Sequence, residues 1–223
     1  MPKQDQTKVI SAKDLGELAL DDFCPRCFWL GRHFGRSPSI FPGIFSTLDS
    51  LSKKSVRRSF LERNLHPDWL PIQNVKRHIE PPKISVPIPE YDWILTGNPD
   101  DIFQLNDDTY HIVDYKTAKF TPKQDALFPM YEVQLNAYAY AAPNHGFHPV
   151  SKLSLIYCEP QENLDTDLDF KLSFTTHISE VSLKLDIIPT LLEKARKILE
   201  SKNPPAPRFG CNKICAWVEK IPK

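Results

Sequence analysis

The stretch Gly97-Asn98-Pro99-Asp100-Asp101-Ile102, followed by Ile112-Val113-Asp114-Tyr115-Lys116-Thr117, decides how this chain reads. Both pieces lie in a run from Tyr91 to Thr117 that is rich in strand formers. Asn106-Asp107-Asp108 interrupts the run in the middle, which predicts a hairpin. Side chains alternate along a strand, so Tyr110, Ile112, Asp114 and Lys116 share one face and His111, Val113 and Tyr115 the other. Asp114 and Lys116 then sit side by side at the end of an apolar strand. Charge is costly there unless it is paired or binds a metal. The hairpin also brings Asp100 close to Asp114. Two neighbouring carboxylates repel and favour a divalent cation between them, and hard oxygen ligands suit magnesium or manganese. Asp101 is the fallback for Asp100, because a slip of one residue in register exchanges their faces.

The rest of the chain supports a fold that can carry such a strand end. With 41% hydrophobic and 25% charged residues, the composition is that of an ordinary globular protein, and 223 residues suffice to bury a core without a staple. Lysine plus arginine total 28 and aspartate plus glutamate total 28, so no global positive charge attracts a nucleic acid; a local patch would have to do so. No stretch is apolar enough to span a membrane, and the start, MPKQDQTKVISAKDL, has no signal-like apolar run, so the expected location is cytoplasmic.

Prolines cluster at Pro81-Pro82, Pro87 to Pro89 and Pro204 to Pro207, which read as connectors. Ser11 to about Gly31 reads as a helix capped by Ser11, Gly35 to about Phe45 as a loop, and Thr47 to Leu65 as a helix. That helix carries Lys53, Lys54, Arg57, Arg58 and Arg63; with Lys76 and Arg77, its cations are candidate phosphate contacts or simply a solvated face. Met130 to Ala142 reads as a helix with Gln134 and Tyr138 on one face. Lys152 to Cys158 and Phe170 to His177 read as strands, with Cys158 a packed core thiol. Asp186 to Ser201 reads as an amphipathic helix with the stripe Ile187, Leu191, Leu192, Ala195, Ile198 and Leu199. The order predicts an α/β or α+β arrangement, one sheet with flanking helices.

Two close cysteine pairs remain. Cys24-Pro25-Arg26-Cys27 lies near one end and Cys211-Asn212-Lys213-Ile214-Cys215 near the other. Each has metal-ligand spacing, and four thiolates suit either zinc or an iron–sulfur cluster.

In order and spacing, Gly97-X-X-Asp100, Asp114-Tyr115-Lys116-Thr117 and Gln134-X-X-X-Tyr138 resemble the motif set of the PD-(D/E)XK nuclease superfamily. The similarity is closest to the RecB-like branch, which includes the CRISPR-adaptation exonucleases. The resemblance implies a single restriction-endonuclease-like domain over 1–223, a central mixed sheet flanked by helices. It implies metal-dependent hydrolysis of DNA phosphodiester bonds at ends or single strands, in a DNA repair or CRISPR-related setting. Asp100 and Asp114 would bind Mg2+ or Mn2+, with Lys116, Gln134 and Tyr138 completing the catalytic set. Relatives with a [4Fe-4S] cluster clasp the two ends of the domain together. Cys24, Cys27, Cys211 and Cys215 would do so here, although two early and two late cysteines depart from the usual one and three, and zinc is the alternative. A helicase or integrase-type partner would supply DNA engagement. An upstream Gly-X-X-X-His is missing; His33, His66 and His78 are candidates for it. The competing expectations are a non-catalytic DNA-binding or scaffold module of the same fold, and a redox protein using the cysteines directly.

Overall fold

A computed structural model describes residues 8–36, 42–121, 126–161 and 172–218. In chain order its strands are β1 (Val9–Ser11), β2 (Val75–Ile79), β3 (Ile84–Ile88), β4 (Trp93–Gly97), β5 (Asp101–Leu105), β6 (Tyr110–Lys116), β7 (Val150–Pro160) and β8 (Phe174–Val181). Its helices are α1 (Ala12–Gly16), α2 (Pro25–Phe34), α3 (Gly43–Arg63), α4 (Phe128–Ala141), α5 (Ile187–Leu199) and α6 (Ile214–Val218).

The expected hairpin is β5–β6. Asp107 closes its turn by accepting hydrogen bonds from the amide and hydroxyl of Thr109, and Asp108 adopts a left-handed backbone that aspartate tolerates. β6 lies at the centre of a mixed five-stranded sheet, β2-β5-β6-β7-β8, parallel to β7 and antiparallel to β5. The parallel step from β6 to β7 requires a crossover, and α4 provides it. A smaller sheet, β1-β4-β3, lies beside it. The alternation along β6 sorts its side chains as expected. Tyr110 and Ile112 join a core with Leu135, Tyr138, Leu153 and Leu192. Val113 and Tyr115 join a second core with Val56, Leu70, Phe103 and Ile156. The chain has the predicted fold class: a mixed α/β sheet flanked by helices, as in a restriction-endonuclease-like domain. Among the described residues no helix is long and apolar enough to cross a membrane.

Five expectations need correction. The helix expected from Ser11 to Gly31 is two helices. Ser11 does cap α1, its hydroxyl accepting the Asp14 amide at 3.0 Å. A 3-10 turn at Glu17–Ala19 then runs into an extended Leu20, and α2 restarts with Pro25 in its first turn, where the missing N–H costs nothing. Pro87 lies inside β3 rather than in a connector; β3 is an edge strand, so one absent donor breaks no interior ladder. α3 begins at Gly43, within the expected loop, of which residues 37–41 fall outside the described residues. Cys158 is half-buried and lines a cavity instead of filling the core. The expected strand from Phe170 continues to Val181; Phe170 and Lys171 fall outside the described residues.

Candidate active site and cysteine cluster

Asp114 and Lys116 occupy the C-terminal end of β6 on the face toward α4. Asp114 is buried, its Oδ2 ion-paired with Lys116. The Lys116 ammonium also lies over the Tyr131 ring, 4.2 Å from its centroid. From α4, Gln134 Nε2 donates to Asp114 Oδ1 at 3.2 Å and to the Tyr138 hydroxyl at 2.5 Å. The i, i+4 pair on α4 thus forms a buried polar chain ending on Asp114. Gly97 makes room for it: a Cβ there would stand 2.5 Å from the Tyr138 ring.

Asp100 sits just before β5, not within it, and is tied to β6 directly. Its Oδ2 accepts the Tyr115 amide at 2.7 Å, between Asp114 and Lys116 in sequence. Its Oδ1 is 2.6 Å from Lys53 Nζ on α3. Burial and then the charge of Asp114 push the Asp100 carboxyl up to about 7, against the opposing pull of Lys53 and the Tyr115 amide. Two carboxylates that resist joint ionisation are the donor set a hard divalent cation relieves, so Asp100 and Asp114 fit a metal of the magnesium or manganese kind.

Asp101 faces the other way. It lies opposite Val113, its Oδ1 2.5 Å from His78 Nε2 and its Oδ2 accepting the Tyr115 hydroxyl at 2.6 Å. It is therefore fully engaged in the second core. The three candidate histidines are also occupied. His78 holds Asp101, His33 bonds the Leu199 carbonyl at 2.9 Å, and His66 bonds the Pro67 carbonyl at 3.2 Å. Lys53 is the contact the sequence reading missed. Expected as a candidate phosphate contact or part of a solvated face, it bridges Asp100 and Asp49 instead, and only the Asp49–Lys53 i, i+4 spacing hints at part of this. Of the other candidate cations, Arg57, Arg58 and Lys76 pair with Glu80, Glu62 and Asp108. Lys54 and Arg77 make no ion pair with a described residue. Lys53, Lys54 and Arg57 line a groove of about 390 Å³ that opens beside Asp100.

The four cysteines at the chain's two ends come together as unpaired thiols, all their sulfurs within 4.8 Å of one another. The Sγ separations are 3.2 Å for Cys27–Cys215, 3.5 Å for Cys27–Cys211 and 3.6 Å for Cys24–Cys215. Burial works against ionisation of Cys24, but the Arg208 and Cys27 amides outweigh it and bring the thiol down to about 7. Burial raises Cys27, and burial with the neighbouring thiols raises Cys215. Such a set holds several thiolates only if a cation shares it, so the donor chemistry fits a soft or borderline metal.

A mixed sheet with Asp114 and Lys116 at the end of its central strand, and Asp100 held beside them, has the form of a restriction-endonuclease-like domain. The model of the PD-(D/E)XK nuclease superfamily matches residues 24–219, and the chain belongs to that superfamily. No curated protein matches it. Among solved structures, SSO0001 is similar at 14% identity and a TM-score of 0.49, covering 100% of this chain and 88% of its own. A phage related exonuclease from Haemophilus somnus 129PT is similar at 17% identity and a TM-score of 0.46, covering 78% of each chain. LHK-Exo in complex with dAMP is similar at 14% identity and a TM-score of 0.45, covering 87% of each.

Proposed function

We propose that this chain is a divalent-metal-dependent deoxyribonuclease of the RecB-like branch, acting on DNA ends or single strands. The observation that supports it most is the Tyr115 amide bond that holds the Asp100 carboxylate beside Asp114 at the end of β6. Asp100 and Asp114 would hold the metal, which when bound would supply Lewis-acid polarisation of the phosphate and activation of a water. Lys116, paired with Asp114, would counter the charge that develops on the phosphate and orient the attacking water. Gln134 keeps Asp114 Oδ1 oriented, and Tyr138 keeps Gln134 from turning away. The cations lining the groove beside Asp100 receive the flanking phosphates. Because the formal net charge is zero, a helicase or integrase-type partner that delivers DNA is part of this proposal.

The cysteine cluster completes the proposed single domain as a clasp. Four thiols within 4.8 Å of one another would hold a zinc ion or an iron–sulfur cluster, and either would tie α2 to the C-terminal cysteines. Colour and metal content of anoxically purified protein distinguish the two.

The activity is tested with single-stranded and blunt duplex DNA in magnesium, in manganese and in EDTA. Metal-restored cleavage is the expected result. Binding without cleavage in either metal would instead favour a non-catalytic scaffold.

A further inference from the structure

On the other side of α3 from the groove beside Asp100 lies a second cavity, of about 310 Å³. Its walls are Trp69, Phe174, Leu48 and Leu51. Hydroxyls of Ser55 and Thr117 are set among them, and no charged side chain lines it. Such a lining does not suit a phosphate. It suits a planar, uncharged ring with apolar faces and hydrogen-bonding edges, in a pocket of small-ligand size.

Trp69 is held in place before any ligand arrives. Its Nε1 donates to Ser55 Oγ at 3.0 Å, its carbonyl accepts the Thr176 hydroxyl at 2.5 Å, and its ring packs against Tyr115 with centroids 6.0 Å apart. A fixed aromatic wall stacks a ring at little entropic cost. The cavity adjoins the candidate active site along the chain, through residues next to Lys116 and Lys53. Thr117, on its wall, is the residue after Lys116, so their Cα atoms are about 3.8 Å apart. Ser52, also on its wall, precedes Lys53, the partner of Asp100. Lys53, Lys54 and Arg57 sit on the opposite face of the same helix, so the strand would pass across α3 between the two.

We propose that this cavity binds one unpaired nucleobase of the strand being cut, beside the scissile phosphate. The proposal rests on the nuclease reading and deepens it. A base paired in a duplex cannot enter, so the pocket selects single-stranded or frayed DNA. Stacking of this kind accepts any base, since every base has a π-face.

The test scans a single-stranded oligonucleotide with one abasic nucleotide at a time. Binding is measured with the full chain in calcium and cleavage in magnesium or manganese. The expected result is a loss confined to one position next to the cleaved bond, about tenfold in Kd, or about 1.4 kcal/mol. Trp69→Leu should weaken the intact strand to the level of that abasic strand and flatten the profile. Because Trp69 also packs on Tyr115, Phe174→Leu, at another residue of the lining, provides a second variant with the same expected flattening. An even abasic profile in active wild-type protein overturns the base pocket and leaves the nuclease standing. Equal weakening of intact and abasic strands by both variants overturns it too. A wild-type protein that neither binds nor cuts DNA with any of these metals overturns both.

Discussion

At the scale of single residues, the clearest expectations concern Asp114 and Lys116. Asp114→Ala and Lys116→Ala should each lower cleavage by on the order of a hundredfold or more. Asp114→Ala should leave the protein folded, because relief of the repulsion with Asp100 offsets the loss of its contacts with Lys116 and Gln134. Near-normal turnover in either folded variant would show that the chemistry is elsewhere. His111 offers a test of stability instead. It is buried beside Ser154, its Nε2 2.9 Å from the Ser154 hydroxyl, and burial with the nearby Lys152 charge depresses it to about 4. The unfolded chain therefore takes up a proton near pH 6.5 that the folded chain refuses until about pH 4. The stability His111 provides is complete above pH 6.5 and is lost as pH falls from there to 4, by up to roughly 3 kcal/mol. His111→Gln keeps a hydrogen-bonding group without the titration. Denaturant melts of both proteins from pH 7.5 to pH 4.5, in EDTA, should diverge as the wild type loses stability faster; parallel curves would count against the buried neutral histidine.

At the scale of elements, Gly97 links β4 to the α4 face. A Cβ there overlaps the Tyr138 ring, which is buried and bonded to Gln134 and has little room to yield. Gly97→Ala should cost about 1–3 kcal/mol of stability as overpacking does. It should also reduce cleavage, since moving Tyr138 moves Gln134 away from Asp114. A thermal melt and a cleavage assay on one preparation check both, and a fully active, fully stable variant would contradict the packing. The β5–β6 hairpin and its faces were legible because alternation at Ile112, Asp114 and Lys116 is a local property. The Gln134–Tyr138 pair was legible as helix spacing for the same reason. β1 and β2 were not, because three residues and Val-Lys-Arg-His-Ile are too short and too charged to read as strands without their partners. The break between α1 and α2 was hidden by apolar residues that continue at helical spacing through Leu15 and Leu18. Lys53 could not be assigned to Asp100, since that pair joins residues 47 positions apart and exists only once α3 crosses the sheet end.

At the scale of the whole molecule, the two chain ends meet at the cysteines. Cys24 and Cys215 are 191 residues apart in sequence and their sulfurs 3.6 Å apart. Further contacts span the same closure. Trp29 donates to the Ser201 carbonyl at 3.1 Å, and His33 bonds the Leu199 carbonyl. α1 meanwhile packs so closely on the start of α4 that a Cβ on Gly16 would lie 2.5 Å from the Met130 carbonyl. A metal clasp at these cysteines would tie the N-terminal helices, which pack on α4, to the C-terminal end of the chain. An unfolded chain cannot present four preformed thiolates, so metal binding free energy becomes folding free energy. Cys215→Ala should release the bound metal and lower the melting temperature by several degrees, on the scale of 4 °C or less per kcal/mol for a domain of this size. Asp114→Ala should retain that metal in full. Metal analysis beside a melting curve for both variants checks the clasp, with added chelator reproducing the Cys215→Ala shift in the wild type. A Cys215→Ala protein with unchanged metal content and unchanged melting would mean that the four thiols pack together without binding an ion, and that closure rests on contacts such as Trp29 with Ser201.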